Sequence, residues 1–416
     1  GARATSPTRR PSGVGGAEPC RWEGQDGSVD VEPNAMWVAP REGRHSMLGN
    51  DGGLYVTWDR MENWDHHNHV AIGQFYNITC DPTPDYMVYG GLQDNGSWGG
   101  PNRSNSDQGT LNTDWVSVGG GDGFVCRVDP EDPDLVYYES QNGGMGRRNL
   151  RTGQGGSARP SSPRGSRNRF NWNTPFILSS VNSRIFYCAG NRVFRSLDRG
   201  NKGRAISPDI TRTERGTATS LAESPRNSDI LYVGTDDGHL RVTLDSGAHW
   251  EERSAGLAQR RWISRVVASA HQEGVVYAAQ NGKRWDDFGT YLWRSPDRGL
   301  TWQNIGAGIP CGPINVVHED PKVSGLLYVG TDLGVYVSLD DGQTWDVLGG
   351  GLPNTFVHDL VVHPRNAVLL AATHGRGVWQ LDVRTLQEGE EPADPVLEQA
   401  TDEEAAESSE QAGEED

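Results

Sequence analysis

One turn recurs along this chain and restricts its fold more than any other feature. Thr243-Leu244-Asp245-Ser246-Gly247-Ala248-His249-Trp250 is matched by Ser295 to Trp302 and by Ser338 to Trp345. Ser196-Leu197-Asp198-Arg199-Gly200 keeps the first half of the pattern but has Gly203 where Trp belongs. Thr57 to Trp64 keeps Asp59 and Trp64 but has Met61 in the glycine position. The aspartates at 198, 245, 297 and 340 are separated by 47, 52 and 43 residues, a period that belongs to repeat architectures. The stretch between Asp59 and Asp198 has room for two further units. Asn149-Leu150-Arg151-Thr152-Gly153 and Ser106-Asp107-Gln108-Gly109 stand where their degenerate copies belong.

The same grammar surrounds each turn. A first strand ends near Asp-Pro or His-Pro, a second ends in Gly, a third enters the Asp turn, and Trp opens a fourth. Leu231-Tyr232-Val233-Gly234-Thr235 and Leu326-Leu327-Tyr328-Val329-Gly330-Thr331 are near-identical second strands. Met47–Asn50, Val88–Gly91, Val136–Ser140, Ile185–Gly190, Val275–Gln280 and Leu369–Thr373 fill the same slot. Short alternating strands with Gly, Asn and Asp turns and no helical period predict an all-β chain. The fold expected is a β-propeller of seven or eight four-stranded blades over residues 31–383. Residues 1–30 are read as a disordered N-terminal segment and residues 384–416 as an acidic disordered tail. The last unit lacks a Trp strand. Either the segment around Asn34–Ala39 pairs with it and closes the ring, or it belongs to a neighbouring propeller in a longer parent chain.

Composition agrees with many tight turns packed by aromatics: 54 Gly and 14 Trp stand against only 34% hydrophobic residues. The formal charge is −18, but residues 385–416 hold 13 acidic and no basic residues, which leaves −5 for the rest. A balanced, slightly acidic body lacks the basic stripe that nucleic-acid binding needs. No run of 18 apolar residues exists, so no membrane span is expected. The five cysteines, Cys20, Cys80, Cys126, Cys188 and Cys311, lie far apart without a C-x-x-C pair, and no cofactor or metal is implied.

In the Asp turn the carboxylate accepts from backbone N–H groups and from the Ser or Thr hydroxyl, Gly supplies a positive φ, and Trp packs beneath. Asp59, Asp198, Asp245, Asp297, Asp340, Trp250, Trp302 and Trp345 are therefore read as scaffold on the outer rim. The complete copies are similar to Asp boxes, also called bacterial neuraminidase repeats. Their arrangement resembles the propellers of sortilin-like receptors and of xyloglucanase-like glycoside hydrolases. Asn34 to Val383 is also similar to the C-terminal half of large secreted bacterial proteins. The likeness rests on Gly49–Gly53, Gly91–Gly100, Gly119–Gly123 and Glu139–Gly143. It implies a secreted or periplasmic protein, and a fold shared this widely leaves activity open.

Ligands of propellers meet the turns between second and third strands and the loops leading into each blade. Those turns give a ring: Asn50/Asp51, Gln93/Asp94/Asn95, Gln141/Asn142, Asn191/Arg192, Asp236/Asp237, Gln280/Asn281, Asp332 and His374/Arg376. Two-residue hairpins demand Asn-Gly and Asp-Gly whatever a protein does, so the departures carry the signal. Gln93–Trp98 is longer than a turn requires and joins Trp to planar hydrogen-bonding groups, the make-up of a carbohydrate platform. Asp122 stands among glycines that permit either close approach to a ligand or a tight bend. Arg169 and Trp172, like Arg261 and Trp262, place a cation beside an aromatic ring, which cation–π packing explains equally well. Asp65-His66-His67 suggests a metal but reads better as a solvated loop. The ligand-binding candidates are Asp51, Gln93, Asp94, Asn95, Trp98, Asp122, Gln141, Asn142, Arg169 and Trp172.

Two readings of function follow. The leading one is a non-catalytic recognition propeller binding a protein, peptide or glycan at its channel mouth. The alternative is a secreted glycoside hydrolase acting on a β-glucan through two carboxylates about 5–9.5 Å apart. Its candidates are Asp94 and Asp122, with Asp51, Glu139 and Asp236 behind them. The Arg-Ile-Pro motif of sialidases is absent.

Overall fold

The computed structural model describes residues 33–389 apart from 51–52, 68–71, 105, 108, 164 and 311. It divides into two compact units, Gly1–Val70 and Ala71–Asp416. The first holds one antiparallel sheet of strands Pro33–Val38, Ser46–Asn50, Gly53–Thr57 and Asp65–His66. The strand at 33–38 pairs with Ser46–Asn50 of its own sheet, so the expectation that Asn34–Ala39 closes a ring with the last unit is corrected.

The second unit contains seven sheets among its described residues, six of four strands and a last one of three. Their inner strands are Phe75–Cys80, Gly123–Asp129, Phe176–Leu178, Ala218–Ser224, Trp262–Ala268, Ile314–Glu319 and Val357–Val362. All eight second-strand motifs read from the sequence fall on second strands. Seven apolar clusters fill the gaps between consecutive blades of this unit, the seventh joining Leu370 and Ala372 of the last blade to Phe75 and Ile78 of the first. Each fully buried Leu, Val or Ile in them contributes about 1.5–3 kcal/mol. Polar contacts repeat the closure. Asp359 Oδ2 accepts from the backbone N–H of Ile78 at 3.1 Å and from Asn77 Nδ2 at 3.3 Å, and Gly375 N donates to Gly73 O at 2.9 Å. The ring is a closed seven-bladed propeller, and the sheet at 33–66 belongs to the other unit.

The second-strand motif explains how the blades approach. Its tyrosines, Tyr89, Tyr137, Tyr187, Tyr232, Tyr277 and Tyr328, are all buried. Its glycine leaves room for the next inner strand: a Cβ on Gly91 would lie 2.1 Å from Phe124 N, and one on Gly234 2.4 Å from Ile263 Cγ2.

The Asp turns repeat one geometry. Asp245 Oδ1 accepts from Thr243 Oγ1 at 2.9 Å and from His249 N at 2.8 Å, while Thr243 Oγ1 accepts from Gly247 N at 2.9 Å. Asp59, Asp198, Asp297 and Asp340 make the corresponding bonds. These donors hold the Asp245 carboxyl down at about 2. Two sequence expectations change here. The residue before each glycine also takes positive φ, as at Ser246 (57°) and Arg298 (59°). The indoles reach beyond their own turn: Trp250, Trp302 and Trp345 donate Nε1–H to Ile206 O, Arg253 O and Ile305 O of the preceding blade, at 2.9, 2.8 and 2.7 Å. Trp thus clamps blade to blade.

Beyond the last sheet, Arg384–Glu388 form a short helix, and Gln387 Nε2 donates to Asp320 Oδ2 at 2.8 Å. This helix lies in the stretch 384–416 read from the sequence as a tail, of which residues 390–416 lie outside the described residues. Cys80, Cys126 and Cys188 are free thiols, and Cys20 and Cys311 lie outside the described residues. No described helix is long and apolar enough to cross a membrane. His66 stacks on Tyr55 at 4.3 Å between ring centroids.

Candidate functional site

Five of the seven inner strands share an irregularity that builds the channel. Pairing with the second strand slips by one residue at Tyr76, Thr219, Ser264, Asn315 and His358. A bulge leaves its extra residue unpaired and re-aims the side chain. All five line one cavity of about 300 Å³ at the channel mouth. Its wall is completed by Asn171, Trp172 and Asn173, which lead into the third blade, and by Asn281, Lys283 and Arg284 from the turn of the fifth. A second cavity of about 520 Å³ lies further along, and Arg127, Arg265, Ile177 and Leu221 line both.

The mouth is aromatic and amide-rich. Trp172 is 50% exposed and meets Phe124 edge-on at 6.3 Å. Phe124 in turn packs on Tyr76 at 4.6 Å, and His358 and His374 stack at 4.7 Å. Cations cover the other rings: Arg284 sits 4.2 Å above Trp262, Lys283 4.1 Å above Phe356 and Arg261 5.6 Å above Trp285. An amide chain fixes the floor, with Asn281 Nδ2 donating to Asn315 Oδ1 at 2.8 Å and Asn315 Nδ2 to Asp332 Oδ1 at 3.0 Å. Lys283 completes it with an ion pair to Asp332 at 2.9 Å.

Of the residues chosen from sequence, Trp172 lines the cavity, and several others brace its rim. Asp122 is buried. Its Oδ1 accepts from Asp94 N at 2.7 Å and its Oδ2 from Gln141 Nε2 at 3.0 Å. One carboxylate thereby holds the hairpin turns of two adjacent blades. The glycines beside it serve the same approach, since a Cβ on Gly123 would lie 2.2 Å from Gly96 O. Gln93 Oε1 accepts from Tyr76 Oη at 2.9 Å, Asn95 Nδ2 donates to Gln93 O at 2.9 Å, and Trp98 Nε1 to Asn95 O at 2.6 Å. The Gln93–Trp98 turn is therefore stiff, with Asp94 exposed at φ 58°. Burial, followed by the charges of Asp122 and Asp94, raises the Tyr76 hydroxyl to about 12.

The remaining candidates are engaged in holding backbone. Asn142, at φ 59°, donates its N–H to Trp172 O at 3.2 Å. Arg169 pairs with Asp209 at 3.1 Å and donates to Gly216 O at 3.3 Å. Buried Glu139 accepts from Gly143 N at 3.2 Å, and burial pushes its carboxyl well above the usual range. Asp236 accepts from Thr217 N at 2.9 Å and Oγ1 at 2.6 Å, and burial raises it too. Asp51 lies outside the described residues. Sequence reasoning missed Tyr76 and His358, because a bulge on an apolar strand leaves no compositional mark, and Asn171, Asn173, Lys283 and Arg284, because polar residues in loops and turns are ordinary.

Two histidines on the channel wall carry a pH dependence. Burial is the largest cause holding both His318 and His358 down at about 4, against 6.5 for the free side chain. Neutral imidazole is favoured in the fold, so their contribution is present above about pH 6.5 and is lost as pH falls towards 4, where unfolding takes up protons. Urea unfolding between pH 7 and 4.5 is expected to show falling stability, with a shallower slope in His318→Gln. A slope unchanged by that substitution contradicts the assignment.

No family model matches the chain. Over 195 residues, 44% of the chain, it is 26% identical to a xyloglucanase of Hypocrea jecorina (strain QM6a), covering 22% of that protein. Among solved structures it is similar to the GH74 enzyme of Niastella koreensis, with a TM-score of 0.55 and 16% identity over 75% of this chain and 54% of that one. It is also similar to the GH74 xyloglucanase from Xanthomonas campestris, with a TM-score of 0.52 and 17% identity over 83% of this chain and 58% of that one. The chain resembles the propellers of xyloglucanases. It spans about a fifth of the curated relative and little over half of each structure. The sequence likeness to a xyloglucanase favours the glycoside-hydrolase alternative over the non-catalytic recognition reading that the sequence put first, while the solved structures share the fold.

Proposed function

We propose that this chain is a glycan-handling propeller of a xyloglucanase-like glycoside hydrolase, acting on a β-glucan at the channel mouth. The observation that carries this reading is the 26% identity to a xyloglucanase over 195 residues. The mouth fits it chemically. Exposed Trp172 offers a flat apolar face for a sugar ring, and Asn171, Asn173 and Asn281 offer planar amides for hydroxyls. Within this proposal Asp94 is the reactive carboxylate that the propeller presents, while Asp122 and Gln141 position its turn. A polysaccharide substrate accords with export from the cell.

The mouth cavity has no Asp or Glu among its described lining residues, and that observation favours the second reading, glycan binding without cleavage. A two-carboxylate mechanism on this scaffold needs both Asp94 and its partner from outside that lining.

Calorimetric titration with a xyloglucan oligosaccharide tests the glycan reading. Saturable binding is expected, weakened about tenfold or more in Trp172→Ala, since losing an aromatic stacking face costs on the order of 1.4 kcal/mol or more. Undiminished affinity in that variant, or no binding in the wild type, overturns it.

A further inference from the structure

The neck between the two cavities holds a charge imbalance that neither reading of the mouth uses. Arg127 and Arg265 line both cavities, and Asp359 lines the inner one. The four hydrogen bonds accepted by Asp359 come from elsewhere than Arg127. Oδ1 accepts from Arg265 Nη2 at 2.7 Å and from Leu360 N at 3.1 Å, and Oδ2 accepts from Asn77 Nδ2 at 3.3 Å and Ile78 N at 3.1 Å. Arg127 makes no ion pair among the described residues. Its Nη1 donates to the carbonyl of Cys126 at 2.7 Å, while Arg265 keeps a buried Nε without a hydrogen-bond partner. Glu223, the other acid in the inner cavity, accepts from Ser179 and Ser180 at 2.7–3.0 Å. The outer cavity adds Lys283 and Arg284 and no acid among its described lining.

At the neck two guanidinium groups therefore flank one saturated carboxylate, and Arg127 is left without an ion-pair partner among the described residues, while Glu223 is held by Ser179 and Ser180. An uncompensated charge away from bulk water is costly unless it is paired. A guanidinium fork matches a carboxylate in plane and in spacing. Beside Arg127 the walls are aliphatic, with Ile177 and Leu221 common to both cavities. We propose that the channel neck is a binding site for a small monocarboxylate, its head on Arg127 and its short aliphatic tail against Ile177 and Leu221. The site opens into the mouth cavity but uses side chains other than those proposed to face the glycan, and it stands whether or not that surface cleaves its ligand.

Thermal unfolding at constant ionic strength, with chloride replaced by propionate, tests this. A ligand that binds only the folded chain raises Tm in a saturable manner, and a rise of about 2 °C or more is expected at roughly 100 mM. The rise should be absent in Arg127→Gln. Saturation-transfer NMR on the propionate methyl of the wild-type mixture serves as the second measurement, in case that variant does not fold, and transfer is expected there. Equal Tm in chloride and propionate, an undiminished rise in a folded Arg127→Gln protein, or no saturation transfer overturns the proposal. An equal rise when fluoride is replaced by chloride overturns the carboxylate class, because a bare anion then suffices.

Discussion

Asp359→Ala is expected to lower the free energy of unfolding by about 3–5 kcal/mol, the usual cost of removing one partner of a buried ion pair. Asp359 is 3% exposed and lies on the inner strand of the last blade. Its carboxylate receives Arg265 from across the channel at 2.7 Å, together with Ile78 N and Asn77 Nδ2 of the first blade. Removing it leaves a guanidinium uncompensated and a backbone N–H without its acceptor at the seam that closes the ring. Asp359→Asn keeps an acceptor for Ile78 but loses the charge, so it should fall between wild type and alanine. Urea unfolding followed by tryptophan fluorescence measures both. A loss below about 1 kcal/mol in the alanine variant means that the seam is held by apolar packing alone.

The second large effect concerns Asp94. A positioned acid or base contributes typically about 10²–10⁴-fold to rate. Asp94→Asn is therefore expected to cut xyloglucan hydrolysis at least about 100-fold while oligosaccharide affinity changes little. The turn is braced by Asp122, Gln93 and Trp98, and preorganisation of this kind keeps a catalytic group within reach of its bond. Asp122→Asn should reduce the rate as well, but through loosening of the turn, so its loss should be smaller and should grow with temperature.

The blades were legible because their determinants are local. Ser or Thr, Asp and Gly within five residues fix the turn, and Tyr-Val-Gly marks a buried strand with room for its neighbour. Membership of the ring was not legible, since the sheet at 33–66 carries its own Asp turn and satisfies the same grammar. The contact that settles closure, Asn77 with Asp359, joins residues 282 apart and has no local signature. Asp122 shows the converse. Its glycines were read as permitting either a ligand or a bend, and in the fold they let two hairpins meet, with the carboxylate as their common acceptor. Trp172 was found by type, an aromatic beside an arginine in a loop, but Asn171 and Asn173 beside it were not, because an Asn in a loop is ordinary. Lys283 and Arg284 became visible only once the fifth-blade turn was placed over the channel.

Reducing-end release from xyloglucan, compared between the wild-type protein and Asp94→Asn, decides whether the propeller cleaves its glycan. Release by the wild type is expected, with a loss of about 100-fold or more in the variant and the oligosaccharide still bound. Oligosaccharide binding with no release, or release that survives Asp94→Asn undiminished, contradicts this expectation.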